Sequence, residues 1–288
     1  MKQFSGMRKL PLTITGLATG SLIYLLLASH QPSWGHVAPD SLGHDPGQRL
    51  AQASRRRNYV PPARSTAPRR ATSLGTRGGL CESSSTANQE PILPSARFSV
   101  MTVAPQTHIG QTASTRPTLT WYIAEDNPYP VELQLYRYTS SDPTDSQLER
   151  VEFFDVGLSQ PGWMTFTLPT SLPPLNVGET YRWKVIVKCS ESQPSRNKID
   201  EADLQVVPSP PGMGTTGEPV QQAEQYGAAG LWYDAIAALS HTPVSPAAAA
   251  CRNELVGDLA ELAAQEAKDP NDVFSLLSDR LRYIANSD

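Results

Sequence analysis

Histidine and cysteine are scarce in this chain, with five of the first and three of the second in 288 residues. His30, His36, His44, His108 and His241 are scattered, and no pair has the short spacing of metal ligands on one helix or hairpin. No serine sits in a Gly-x-Ser-x-Gly turn, so a Ser-His-Asp site has no nucleophile motif behind it. Nothing resembles a phosphate-binding loop. Gly212, Gly214 and Gly217 spell the dinucleotide fingerprint by letter, but Pro208, Pro210 and Pro211 part them from the preceding strand pattern. No βαβ unit surrounds them, so they read as a linker. The sequence therefore assigns no catalytic residue, no metal and no cofactor, and offers no nucleic-acid signature.

Acids are nearly missing from the N-terminal part. Residues 1–80 hold eleven Lys/Arg against Asp40 and Asp45, a net +9, while the remainder holds thirteen basic against twenty-six acidic residues, a net −13. A basic arm thus precedes an acidic body, a split that can signal contact with an anionic surface. Lys2, Arg8 and Lys9 stand before an apolar run dense at Leu22–Ala28. A charged start plus a short apolar run is the export pattern, so residues 1–29 read as a cleaved signal peptide or an uncleaved signal anchor. The expected location is periplasmic or extracellular. Residues 30–80 are rich in Pro, Ser, Ala, Gly and Arg and lack aliphatic periodicity. They cannot bury enough apolar surface to offset ordering entropy, which predicts a disordered basic linker. Two readings stay open: a solvated tether, or an arm that touches anionic lipid, envelope polymer or an acidic partner.

What is present is mostly β pattern. In Leu175–Cys189, Tyr181, Trp183, Val185, Val187 and Cys189 alternate with Arg182, Lys184, Ile186 and Lys188. Period two puts one apolar face inward and one largely basic face outward. Segments 97–103, 118–124, 131–139, 148–156, 162–168, 179–189 and 199–207 are rich in β-branched and aromatic residues and are parted by turn-forming stretches. Seven short strands without intervening helical patterns predict an immunoglobulin/fibronectin-like antiparallel β-sandwich over residues 81–207. Tyr181, following a turn at the start of the penultimate strand, fits a tyrosine corner, and 168–175 would be the crossover between sheets. Cys81 opens this body and Cys189 ends a core strand, so these two are expected to pair and leave Cys251 alone on a helix; three free buried thiols are the alternative.

Residues 208–218 form a linker, and a helical region follows over 219–287. Tyr226, Gly230, Trp232, Asp234, Ala235, Ile236 and Leu239 are spaced as at the turn of a tetratricopeptide-like hairpin. Ser245–Pro246 caps a third helix to about Ala267, and Val273, Leu276, Leu277, Leu281 and Ile284 stripe a fourth.

Candidate contact residues follow from these elements. Trp232 and Tyr233 mark the hairpin as a docking surface, and Arg182, Lys184 and Lys188 mark the outer sheet face, unless cross-strand acids such as Glu132 or Glu152 pair with them. Glu125–Asp126, Asp142 and Asp145 lie in turns, where calcium or sugar binding competes with plain turn chemistry. Trp121, Tyr129 and Trp163 would stack on sugar if exposed.

Arg77-Gly78-Gly79-Leu80-Cys81, the Pro-Thr-Leu-Thr-Trp-Tyr strand at 117–122, Leu-Pro-Pro-Leu-x-Val-Gly-x-x-Tyr-x-Trp at 172–183, Cys189 and Gly-Leu-Trp-Tyr-Asp-Ala at 230–235 occur together. In this combination the chain resembles an uncharacterised cyanobacterial exported family, the domain of unknown function nine-two-eight, over about residues 77–286. That family usually opens with Arg-Gly-Gly-Cys, and here Leu80 is inserted. The resemblance implies an exported protein of cyanobacterial origin and brings no activity or cofactor. The expected function is that of a non-catalytic envelope protein acting as an interaction module on another envelope protein or on envelope polysaccharide. The membrane would be touched only by the N-terminal segment, with the basic linker as the one further contact left open. The alternatives are a carbohydrate-binding or polysaccharide-processing protein and a secretion or assembly accessory factor.

Overall fold

The computed structural model describes residues 57–63, 79–81, 98–140, 142, 145, 147–214, 217–240 and 244–287. All lie in one compact unit, Ser54–Asp288. The segment expected to be a signal or anchor, most of the 30–80 arm, and His30, His36, His44 and His241 lie outside the described residues.

The aromatic and β-branched runs form strands: β1 (Val100–Thr102), β3 (Thr118–Ile123), β4 (Pro130–Tyr138), β5 (Leu148–Leu158), β6 (Gly162–Thr167), β7 (Thr180–Val187) and β8 (Lys198–Val206). A short β2 (Gly110–Thr112) was not expected from the sequence. Three strands form one sheet in the order β1-β3-β6, and five form the other in the order β2-β8-β7-β4-β5. The chain crosses between sheets after β1, β2, β3, β5 and β6, which makes an immunoglobulin/fibronectin-like sandwich. Pairing is antiparallel except for β2, which lies parallel to β8 with Gly110 opposite Leu204.

Alternation decides the core. Leu133, Leu135, Trp183, Val185, Leu204 and Val206 of the larger sheet, and Leu119, Trp121 and Ile123 of the smaller, are fully buried. Thr102 of β1 ties the sheets together, its N–H and hydroxyl both donating to Asp200 of β8 at 2.7 and 2.8 Å. Tyr181 forms the expected corner: its hydroxyl accepts from Asn176 N–H at 3.0 Å and donates to Glu179 at 2.9 Å. Burial takes its pKa up to about 12, the Asn176 N–H opposing the rise and the Glu179 bond adding to it. Cys81 and Cys189 form a disulfide, and Cys251 is free and buried.

Four helices follow: α1 (Pro219–Ala228), α2 (Trp232–Ala238), α3 (Pro246–Glu266) and α4 (Val273–Ala285). Ser245 caps α3 by accepting from Ala248 N–H. Gly230, at φ 79°, makes the turn between α1 and α2 that a side chain would strain. The helices are not an appended module, because their apolar residues join those of the sandwich in one continuous cluster. Tyr233 reaches beneath β2, where its hydroxyl accepts from Trp183 Nε1 and donates to the Asp203 carbonyl, each at 3.0 Å.

The expected disordered arm needs correction over residues 57–63. Tyr59 is fully buried. Its hydroxyl lies 2.7 Å from His108 Nε2, and its ring meets Trp232 edge-on at 5.0 Å. Composition hid this strap because one aromatic anchor and a few backbone hydrogen bonds leave no periodic pattern.

Candidate interaction surface

The outer face of the five-stranded sheet carries the side chains that alternate away from the core. Glu132, Gln134 and Tyr136 of β4 stand opposite Ile186, Lys184 and Arg182 of β7, and Arg182 and Lys184 stand opposite Asp203 and Glu201 of β8. Arg182 clamps Asp203 in two parallel bonds, Nε to Oδ1 at 2.7 Å and Nη2 to Oδ2 at 3.0 Å. It also reaches Glu201 at 3.0 Å. Burial works against the guanidinium charge, yet the Asp203 bonds and the two carboxylates outweigh it and raise its pKa. The Tyr138 hydroxyl also donates to Asp203, at 3.1 Å, and the Tyr138 ring lies 5.6 Å from the guanidinium.

Towards β5 the face becomes more open. Lys184 bridges to Glu201 at 3.1 Å and lies 5.5 Å from the Tyr136 ring. Lys188, its side chain 42% exposed, bridges to Glu132 at 2.8 Å and thereby lowers the Glu132 pKa. Tyr136 and Phe153 meet edge-on at 5.6 Å, and Arg150 lies 5.1 Å over Phe153. The face is an ordered mosaic of aromatics and charges of both signs, held by cross-strand pairs.

Several expected contact residues belong elsewhere. Trp232 and Tyr233 are buried, and Trp232 Nε1 donates to the Val103 carbonyl at 2.9 Å, so they fasten the hairpin to the sandwich and do not form a docking surface. Arg182 is likewise buried, so of the three basic residues only Lys184 and Lys188 remain accessible. Lys188 takes Glu132 as its partner, as the cross-strand alternative allowed. Trp121 lies in the inter-sheet core, Tyr129 packs partly buried against it, and Trp163 sits under the Arg252 guanidinium at 4.1 Å. The three therefore offer no stacking platform. Phe153 and Arg150 were missed: three residues apart, they would face opposite sides of a regular strand, and the register shift at Leu135/Tyr136 puts both on this face.

The turn carboxylates also separate. Glu125 is buried and accepts from Cys81 N–H and the Ser99 hydroxyl. Asp142 and Asp145 lie at the other end of β4, a nine-residue strand that spans about 30 Å. The two sets cannot share one ligand. A cleft of about 270 Å³ between the sandwich and the α1–α2 hairpin includes Arg116, Gln222, Tyr226 and Asp234. Asp234 accepts from Ala113 N–H at 2.9 Å, and burial raises its pKa; it latches helix to loop. Among the described residues no group of three or more His, Cys, Asp or Glu is placed to hold a metal, and no helix is long and apolar enough to cross a membrane.

A two-sheet sandwich fused to a helical cap, with one sheet face presenting paired charges and aromatics, defines the architectural class. The chain belongs to the family described as Domain of Unknown Function (DUF928), matched over residues 72–272. No curated protein matches it. Among solved structures it is similar to T. fusca AA10A, with 19% identity, a TM-score of 0.26, and coverage of 36% of this chain and 54% of that one. It is also similar to a lytic polysaccharide monooxygenase important for chitin utilization in Cellvibrio japonicus, with 11% identity, a TM-score of 0.25, and coverage of 36% and 57%. The chain thus spans little more than half the length of either, and overlaps this partial say nothing about activity.

Proposed function

We propose that this protein is an exported, non-catalytic interaction module that binds another envelope protein through the outer face of its five-stranded sheet. The observation that carries the reading is the mosaic of Tyr136, Phe153, Arg150, Lys184 and Lys188, in which aromatics and cations stand in fixed cross-strand positions. Tyrosine, phenylalanine and arginine are enriched at protein interfaces, and side chains already held in place lose less entropy on binding. The Cys81–Cys189 disulfide supports an oxidising compartment.

The sugar-binding alternative is less well served by the same face. Tyr136 and Phe153 stand at 64° to each other, so they form no flat platform for stacked sugar rings. Crosslinking in the native host, followed by affinity purification through a C-terminal tag with protein and glycan analysis, tests the choice. A recurrent protein in near-equal amount supports the interaction module. Envelope polysaccharide retained without a protein partner replaces it with the sugar-binding reading.

A further inference from the structure

The strap at residues 57–63 is held as a bound peptide is held. Its backbone supplies three polar contacts: Asn58 and Tyr59 N–H both donate to Asp258 of α3, at 2.7 and 2.8 Å, and Val60 N–H donates to the Gly227 carbonyl at 3.0 Å. One side chain, Tyr59, is the anchor, buried between His108 and Trp232. The groove has a glycine floor. A Cβ at Gly227 would collide with the Asn58 carbonyl oxygen, and one at Gly230 would lie 2.9 Å from Pro62 Cγ.

Charge agrees with this arrangement. Glu254, Asp258 and Glu261 recur along one side of α3. Asn58 Nδ2 donates to Glu254 at 2.7 Å, and Arg57 lies 3.7 Å from Glu261. A basic segment entering along an acidic helix stripe, with one aromatic anchor and prolines behind it, has the division of labour seen in peptide recognition: backbone bonds give affinity and a pocket gives specificity.

We propose that residues 57–63 are a transferable ligand, and that the groove between the α1–α2 turn and α3 accepts this segment from a second copy of the chain. Any second copy carries the complementary segment, so self-recognition needs no further chemistry. Fifteen residues separate Ala63 from Gly79, a reach of up to about 50 Å, enough to deliver the strap to a neighbouring body. Within one chain the tethered segment acts at an effective concentration of roughly a millimolar, so exchange is favoured where copies are crowded.

Two full-length variants test this. Tyr59→Ala leaves the groove and removes the anchor, while Gly227→Ala keeps the anchor and blocks the groove. Each alone should stay monomeric by light scattering, and an equimolar mixture should form a one-to-one dimer at concentrations approaching a millimolar. A mixture that stays monomeric overturns the proposal. Should either variant fail to fold, a full-length chain with a protease site placed between residues 64 and 70 is cut after folding. A labelled peptide of residues 55–63 should then displace the native segment from the folded body, with the Tyr→Phe peptide roughly fivefold weaker through loss of the His108 bond. A segment released only when the body unfolds marks the strap as fixed core and ends the proposal.

Discussion

On the outer face of the three-stranded sheet, Tyr122 and Trp163 meet edge-on beneath the helices, Tyr122 against Tyr283 of α4 and Trp163 under Arg252 of α3. On the outer face of the five-stranded sheet, Tyr136 and Phe153 lie instead beside Lys184 and Arg150 of the strands themselves. Both faces arise from the same two-residue alternation with aromatics set among polar residues. The smaller sheet gives its aromatics to a helical cap and becomes an interior layer. The larger sheet covers its own surface with paired charges. An aromatic on a strand therefore signals contact, and only the tertiary neighbour decides whether that contact is internal.

The covered side should be far more sensitive to truncation than the paired face. Trp232→Ala removes a fully buried indole and its bond to the Val103 carbonyl, and should cost about 3–5 kcal/mol in urea unfolding. A cost below about 1 kcal/mol would mean that the hairpin is not fastened as described. Arg182→Met sharpens the comparison from the other side, because it leaves Asp203 buried without its clamp. It should cost about 3 kcal/mol, as breaking a buried pair does, although the residue lies on the paired face.

The acid response should come from the strap side. Burial takes the His108 pKa down to about 4 from its ordinary 6.5. The folded state thus holds fewer protons than the unfolded chain between those values. Its contribution is fully present above pH 6.5 and is lost as pH falls through the folded value. Between pH 7 and 4.5 this amounts to roughly 2–3 kcal/mol. Urea midpoints of the native chain and of His108→Gln at both pH values check it: the variant should show the shallower loss, and equal slopes would remove His108 as the cause. The smallest effect is expected from Lys188→Gln, whose exposed pair with Glu132 should contribute less than about 1 kcal/mol to the same unfolding curves.

Much of the sandwich was legible. Trp183, Val185 and Val187 alternate without interruption, and Tyr181 follows its turn residues, so β7 and the corner could be placed from spacing alone. Ser245–Pro246 marked the start of α3 because capping is a local matter. β2 was not legible, since three residues without apolar alternation are ordered by β8 and by Tyr233 packed beneath Gly110. The strap was hidden for a related reason: its order comes from Asp258, His108 and Gly227, residues far away in sequence. For the interaction face, the basic stripe on β7 was visible. That Arg182 would be claimed by Asp203 depended on the β7–β8 register, and the shared face of Phe153 and Arg150 depended on the bulge between them.

The most direct test of the interaction face is the double variant Arg150→Glu, Lys188→Glu, carried through native-host crosslinking and tagged purification alongside the unaltered chain. Both side chains lie away from the core, so the melting temperature should hold within a few degrees. The recovered protein partner should fall by roughly tenfold or more, because reversed charges meet the partner's complementary groups. Full recovery of the same partner by a stably folded double variant would contradict the assignment of this face.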